Sequence, residues 1–178
     1  HAEELSRAVE RAGVGADDAL VVFTAHSLPV LDLEMPERYV SGLRTVAEKI
    51  AGSLGFDTGS EFSASRRLPG LASFGAPDSQ RPWMLAYQSK GQRAGDWLGP
   101  DISEVMEVAA RQGLRAVVVS PIGFATEHME TLYDLDVVEA RRAEELGIGF
   151  ERGAAPNDEP RLVDAAAAAV RPLMQQGT

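Results

Sequence analysis

Thr24-Ala25-His26-Ser27-Leu28-Pro29 follows the apolar run Ala19 to Phe23 (ALVVF), and the joining of that run to that stop decides the fold. A short apolar run rich in β-branched residues reads as a buried strand, and Pro29 cannot continue a central strand because it has no N–H to give the ladder. In an open parallel sheet, ligands gather outside the carboxyl ends of the strands, so His26 stands where chemistry is done. A second edge repeats the pattern. Arg115 to Ser120 (RAVVVS) is another such run, stopped by Pro121. If it lies parallel to the first strand, it delivers Gly123 to Asp134 (GFATEHMETLYD) to the same rim. An imidazole and a cluster of carboxylates then face one cleft.

Outward from these two edges the chain alternates strands and helices. Ala2 to Arg11 carries Leu5, Ala8, Val9 and Ala12 on one side and ends at Gly13 and Gly15, which predicts a helix before the first strand. Pro36 to Leu54 repeats Tyr39, Leu43, Val46, Ile50 and Leu54 at helical intervals, with Pro36 suited to the first turn. Asp57 to Pro82 is rich in Gly, Ser, Ala and Pro without periodicity and reads as a long surface loop. Trp83 to Tyr87 is the next strand, and Asp101 caps a helix running to Gln112. Glu127 to Leu146 reads as one long helix closed by Gly147, Ile148 to Arg152 as a short fourth strand, and Pro160 or Arg161 opens an alanine-rich helix to about Met174. Strands separated by helices of crossover length predict an α/β fold with a four-stranded parallel sheet covered on both faces. A chain of 178 residues is long enough for one well-buried domain and short for two, so residues 1–178 are taken as a single domain.

Composition excludes several classes of function. A net charge of −10 argues against a nucleic-acid partner, which needs clustered Lys and Arg to displace counterions from phosphates. No apolar stretch reaches membrane-spanning length and no signal peptide is visible, so the domain is expected to be soluble and cytoplasmic. The chain has no cysteine, which removes disulfides, thiolate zinc sites and iron–sulfur clusters ligated by its own cysteines. Gly91 to Gly95 lacks both GxGxxG spacing and a Walker lysine, and no HExxH or GxSxG is present.

Three blocks carry a family resemblance: AHSLP (25–29), YQSK (87–90) with WLGPD (97–101), and PIGFATEHMETLYDLD (121–136). In this order and spacing the chain resembles the carboxyl-terminal half of ferrochelatases, from roughly Leu20 to Met174. The resemblance implies a Rossmann-like, chelatase-type three-layer domain that forms one half of a two-domain enzyme, with the porphyrin cleft between the halves. It implies a lyase of heme biosynthesis that inserts ferrous iron into coproporphyrin III or protoporphyrin IX, this chain supplying the metal-site half. The acidic, Ala- and Arg-rich composition points to a bacterial source and so towards coproporphyrin. Porphyrin and ferrous iron are substrates, and no organic cofactor is required. The missing amino-terminal half, or self-association of this one, is expected to cover the exposed inter-domain surface.

The resemblance also assigns roles. His26 and Glu130 are implied as catalytic residues and metal ligands, and a neutral imidazole suits both metal binding and proton acceptance. Taken alone, His26 would be a hydrogen-bonded structural histidine. Glu127, Glu130 and Asp134 fall at i, i+3 and i+7, on one face of a regular helix, where Glu127 and Asp134 would tune the pair or pass protons. Their plainer reading is complementation of the helix dipole, by ~0.3 to 1 kcal/mol each. The family continues this acidic line one turn beyond Asp134; here that position is Val138, and Asp136 or Glu139 could take its place only if the helix were overwound or bulged. The resemblance implies substrate binding by Trp97 and His128, against plainer readings of Trp97 as a plug closing its loop and His128 as a brace of its turn; Ser89 joins them from its place at a turn beyond its strand, and Tyr133 stands with them, orienting Glu130 at i+3 or packing the helix. Two rivals stand beside this reading: a non-catalytic tetrapyrrole- or metal-binding domain, and a chelatase for cobalt or nickel.

Overall fold

A computed structural model describes residues 1–15, 18–56 and 83–175. The surface loop expected at 57–82 lies outside the described residues. The elements run α1 (Ala2–Ala12), β1 (Ala19–His26), α2 (Pro36–Ser53), β2 (Trp83–Gln88), α3 (Ile102–Arg111), β3 (Ala116–Ser120), a π-wound segment (Thr131–Glu139) continuing into α4 (Ala140–Leu146), β4 (Gly149–Arg152) and α5 (Pro160–Gln175). The four strands form one sheet in the order β2-β1-β3-β4, parallel throughout. The α/β architecture with four parallel strands is therefore as the sequence predicts.

Strand residues alternate between two cores. Val21, Phe23, Ala25, Trp83, Leu85 and Val118 pack under α1 and α2, with Leu5, Ala8, Ala47 and Ala51. Leu20, Val22, Met84, Ala86, Val117 and Val119 pack under α3 and the helix ending in α4, with Ile102, Val105, Met106 and Leu135. Leu20, Val22 and Phe23 are fully buried, each worth roughly 1.5–3 kcal/mol of hydrophobic stabilisation. Asp101 caps α3 as expected: its side chain accepts from the Ser103 N–H, and Glu104 reaches back to the Asp101 N–H.

Two stretches depart from the sequence reading. Val46 belongs to the periodic stripe of α2 yet is 41% exposed, while Val40, outside that stripe, packs against the core. The helix expected from Glu127 begins two residues later, at Met129, and is π-wound from Thr131 to Glu139. A looser winding of this kind, the opposite of overwinding, satisfies the condition under which a residue beyond Asp134 joins the acidic face.

Candidate metal and proton-transfer site

The chain runs outward from β1 to β2, then crosses back to β3 on the other side of β1, so the topological switch point lies between the carboxyl ends of β1 and β3. His26 is the last residue of β1 and pairs in register with Gln88. Alternation along the strand puts its side chain on the face of Leu20 and Val22, the face covered by α3 and the π-wound segment. Its Nδ1 lies 2.5 Å from the Ser27 carbonyl oxygen. A carbonyl can only accept, so Nδ1 carries a proton and Nε2 is the ring nitrogen left to face outward.

That nitrogen meets the second edge. After β3, Pro121 turns the chain across the end of β1, and the Gly123 N–H donates to the Thr24 carbonyl at 3.0 Å. The crossing is close enough that a Cβ at Gly123 would stand 2.5 Å from the Ala25 Cβ, which is why glycine is needed here. Beyond it the ring of Phe124 packs on that of His128, centroids 5.0 Å apart. His128 precedes the helix and so stays beside Glu130, its Nδ1 accepting the Glu130 N–H at 3.3 Å. Glu130 then places Oε2 at 3.5 Å from His26 Nε2 and 3.9 Å from His128 Nδ1. Two donors about 2.1 Å from a tetrahedral first-row ion sit about 3.4 Å apart, so the His26–Glu130 spacing suits a shared divalent metal. Both side chains are partly open, His26 at 31% and Glu130 at 51%, so a substrate can reach them.

The π winding decides which acids follow. In an α-helix nine residues make about two and a half turns, which would turn Glu139 away from Glu130. With i→i+5 hydrogen bonding, nine residues come close to two turns, and Glu130, Asp134 and Glu139 share a face. Asp134 accepts a short hydrogen bond from Ser89 Oγ, at the end of β2. Ser103 Oγ, on α3, lies 2.8 and 2.9 Å from the two oxygens of Glu139. Glu139 is buried, and desolvation pushes its carboxyl up to about 7; Asp101 and Asp134 add to the rise, Ser103 and Arg142 oppose it. A carboxyl poised there exchanges protons freely near neutral pH. Beneath this face Gln88 is buried, its Oε1 accepting from Thr24 Oγ1 at 2.8 Å while its Nε2 has no partner among the described residues.

Glu127 lies apart from that line. Its Oε1 accepts from Arg152 Nη1 at 2.7 Å and from the Ala155 N–H at 2.8 Å, and Oε2 lies 2.9 Å from Thr131 Oγ1. Burial pushes its carboxyl up, but these three hydrogen bonds outweigh it and hold the group below its ordinary value. The same Arg152 grips Asp136, so Asp136 also points away from the Glu130 face.

The sequence profile of ferrochelatases matches residues 1–173. The chain belongs to the ferrochelatase family. It is 36% identical over 166 residues to the coproporphyrin III ferrochelatase of Streptomyces griseus subsp. griseus, covering 88% of this chain and 38% of that protein. It is 34% identical over 148 residues to the ferrochelatase of Herpetosiphon aurantiacus, covering 83% of this chain and 41% of the other. Against the coproporphyrin III ferrochelatase of Streptomyces coelicolor the identity is 47% over 94 residues, 52% of this chain and 24% of that one. The chain thus spans about two fifths of the length of the curated relatives it matches over most of its own.

The remaining residues singled out by sequence divide within this member of the ferrochelatase family. Trp97 is half-buried over Gly91, where a Cβ would meet the ring at 2.8 Å, and its Nε1 donates to the Arg93 carbonyl at 3.0 Å. It closes its own loop, which is stitched beside His26 by Val30 N–H to Asp96 O and Leu98 N–H to Leu28 O, at 2.8 and 3.0 Å. Tyr133 is 54% exposed and lines a surface hollow with Ser103, Val138 and Arg142. Ser103 and Arg152 escaped the sequence reading because each finds its acid on a distant element, a partnership no local spacing records. Among the described residues no helix is long and apolar enough to cross a membrane.

Proposed function

We propose that this chain is the carboxyl-terminal, metal-site half of an enzyme that inserts ferrous iron into a porphyrin in heme biosynthesis. The observation that carries this is the Nε2 of His26 facing Glu130 across 3.5 Å at the switch point of the sheet. Insertion requires that two pyrrole N–H bonds break as the iron–nitrogen bonds form, so two protons leave for each iron that enters. Glu130 and His26 would hold the incoming ion and accept those protons, and Asp134 and Glu139 would carry them along the helix face. Ser89 would act through Asp134, His128 would orient Glu130, and Trp97 and Tyr133 would border the ring. Glu127 would serve this path indirectly, through the fold of the loop. Iron and porphyrin are the substrates and no organic cofactor is invoked. A flat ring needs walls on both faces, so the partner surface would be an amino-terminal domain or a second copy of this one. The enzyme would work in the cytoplasm.

Coproporphyrin III is the preferred ring, supported by the names of the streptomycete relatives and by composition. The test is anaerobic incubation of the protein containing this chain with Fe(II) and either coproporphyrin III or protoporphyrin IX, followed by the absorbance change on metallation. Faster insertion into coproporphyrin III is expected. Binding of porphyrin without metallation would favour a non-catalytic domain, and insertion of Co(II) or Ni(II) but not Fe(II) a different chelatase.

A further inference from the structure

Arg152 ends β4 and is only 12% exposed. Its Nε and Nη2 hold both oxygens of Asp136, at 2.5 and 2.8 Å, while Nη1 holds Glu127 at 2.7 Å and reaches the Gly153 carbonyl at 3.2 Å. One planar cation therefore joins a residue before the helix to one inside the π-wound segment, and fixes both to the sheet. Its own carbonyl is held by Arg11 Nη2 at 2.7 Å.

Extended π winding is rare and persists where surrounding contacts over-determine it. Asp136 stands six residues after Glu130, and between α and π winding such a residue swings by about a third of a turn round the axis. It meets Arg152 in one winding and leaves it in the other. The link to the site is short: β4 pairs with β3, β3 pairs with β1, and β1 ends in His26. Glu130 lies between the two acids that the guanidinium grips.

We propose that Arg152 is the positioning residue of the metal site: its fork on Asp136 and Glu127 sets the π winding of Thr131–Glu139 and thereby holds Glu130 opposite His26. The second half of this rests on the chelatase reading; the first half does not. Lysine would supply a point charge without the fork, so it should not substitute.

The test compares Arg152→Lys, Arg152→Met and Asp136→Asn in the whole protein that contains this chain, with Arg7→Met, in an exposed ion pair on α1, as control. Amide hydrogen exchange across residues 131–139 should quicken by at least ~10-fold in all three variants while β1 keeps its protection. The kcat for iron insertion should fall about 10- to 100-fold, as for other residues that orient metal ligands, with KM for the porphyrin unchanged and no rescue by lysine. Arg7→Met should change neither. If Arg152→Met fails to fold, Asp136→Asn decides, because it leaves the Arg152–Glu127 pair in place. Unchanged exchange in folded variants overturns the proposal, and so does altered exchange with unaltered kcat. A wild type without chelatase activity would sink the functional reading alone, and the exchange measurement would still decide whether Arg152 sets the winding.

Discussion

The carboxyl end of β1 and the π-wound segment Thr131–Glu139 come together where His26 faces Glu130, and different forces hold them. β1 is laddered on both flanks, to β2 and to β3, and its side chains through Ala25 are buried. The π segment buries only Thr131, Leu135 and Glu139, and polar groups from the end of β2, from α3 and from β4 reach it as Ser89, Ser103 and Arg152. Backbone pairing and apolar burial thus present His26, whereas side-chain hydrogen bonds present the acids. A substitution at His26 should remove chemistry and leave the fold. Substitutions around the π segment should change alignment first.

The largest effect tests the rigid wall. His26→Ala should lower iron insertion by ~10³-fold, within the range that a positioned general base contributes. Its melting temperature should stay within about 2 °C of wild type, because a partly exposed residue at a strand end supports little packing. Loss of folding in that variant would return His26 to a structural role. An intermediate effect comes from the place where the walls cross. Gly123→Ala should cost roughly 1–3 kcal/mol in denaturant unfolding, because the added methyl overlaps Ala25, which has no side chain to swing aside.

These walls also differ in how far the sequence reveals them. ALVVF followed by a histidine and a proline states its strand and its stop locally, and the edge RAVVVS does the same, so four strands and the placing of His26 were legible. Leu5, Ala8, Val9 and Ala12 of α1 join the core for the same reason: periodicity alone selects them. The winding of Thr131–Glu139 was not legible, because Leu132, Leu135 and Val138 recur at ordinary α-helical intervals, and the burial of Glu139 in place of Val138 follows from contacts on other elements. Glu139 therefore entered only as a condition. Glu127 looked like a member of the acidic line because its spacing fits a regular helix, but it precedes the helix and is claimed by an arginine 25 residues away.

The smallest effect sharpens the contrast by pH. Glu139 has a folded-state pKa of about 7, above the 4.5 of an ordinary glutamate. Such a group contributes stability that is complete below about pH 4.5 and is lost as the pH rises through about 7, because ionisation is easier in the unfolded chain. Glu139→Gln should therefore leave stability near pH 4 almost unchanged and raise it at pH 8 by ~1 kcal/mol once solvent screening is discounted, read from thermal melts across that range. An equal effect at both pH values would mean that folding leaves the pKa of Glu139 where it is in the unfolded chain.

The claim on which the rest depends is that one divalent ion is shared by the two walls. Crystals of the protein soaked with Co(II), examined by anomalous scattering at the cobalt edge, test it directly. A peak within about 2.0–2.2 Å of both His26 Nε2 and Glu130 Oε2 is the expected result. Cobalt bound elsewhere, with His26 and Glu130 both free of metal at saturating concentration, would contradict it.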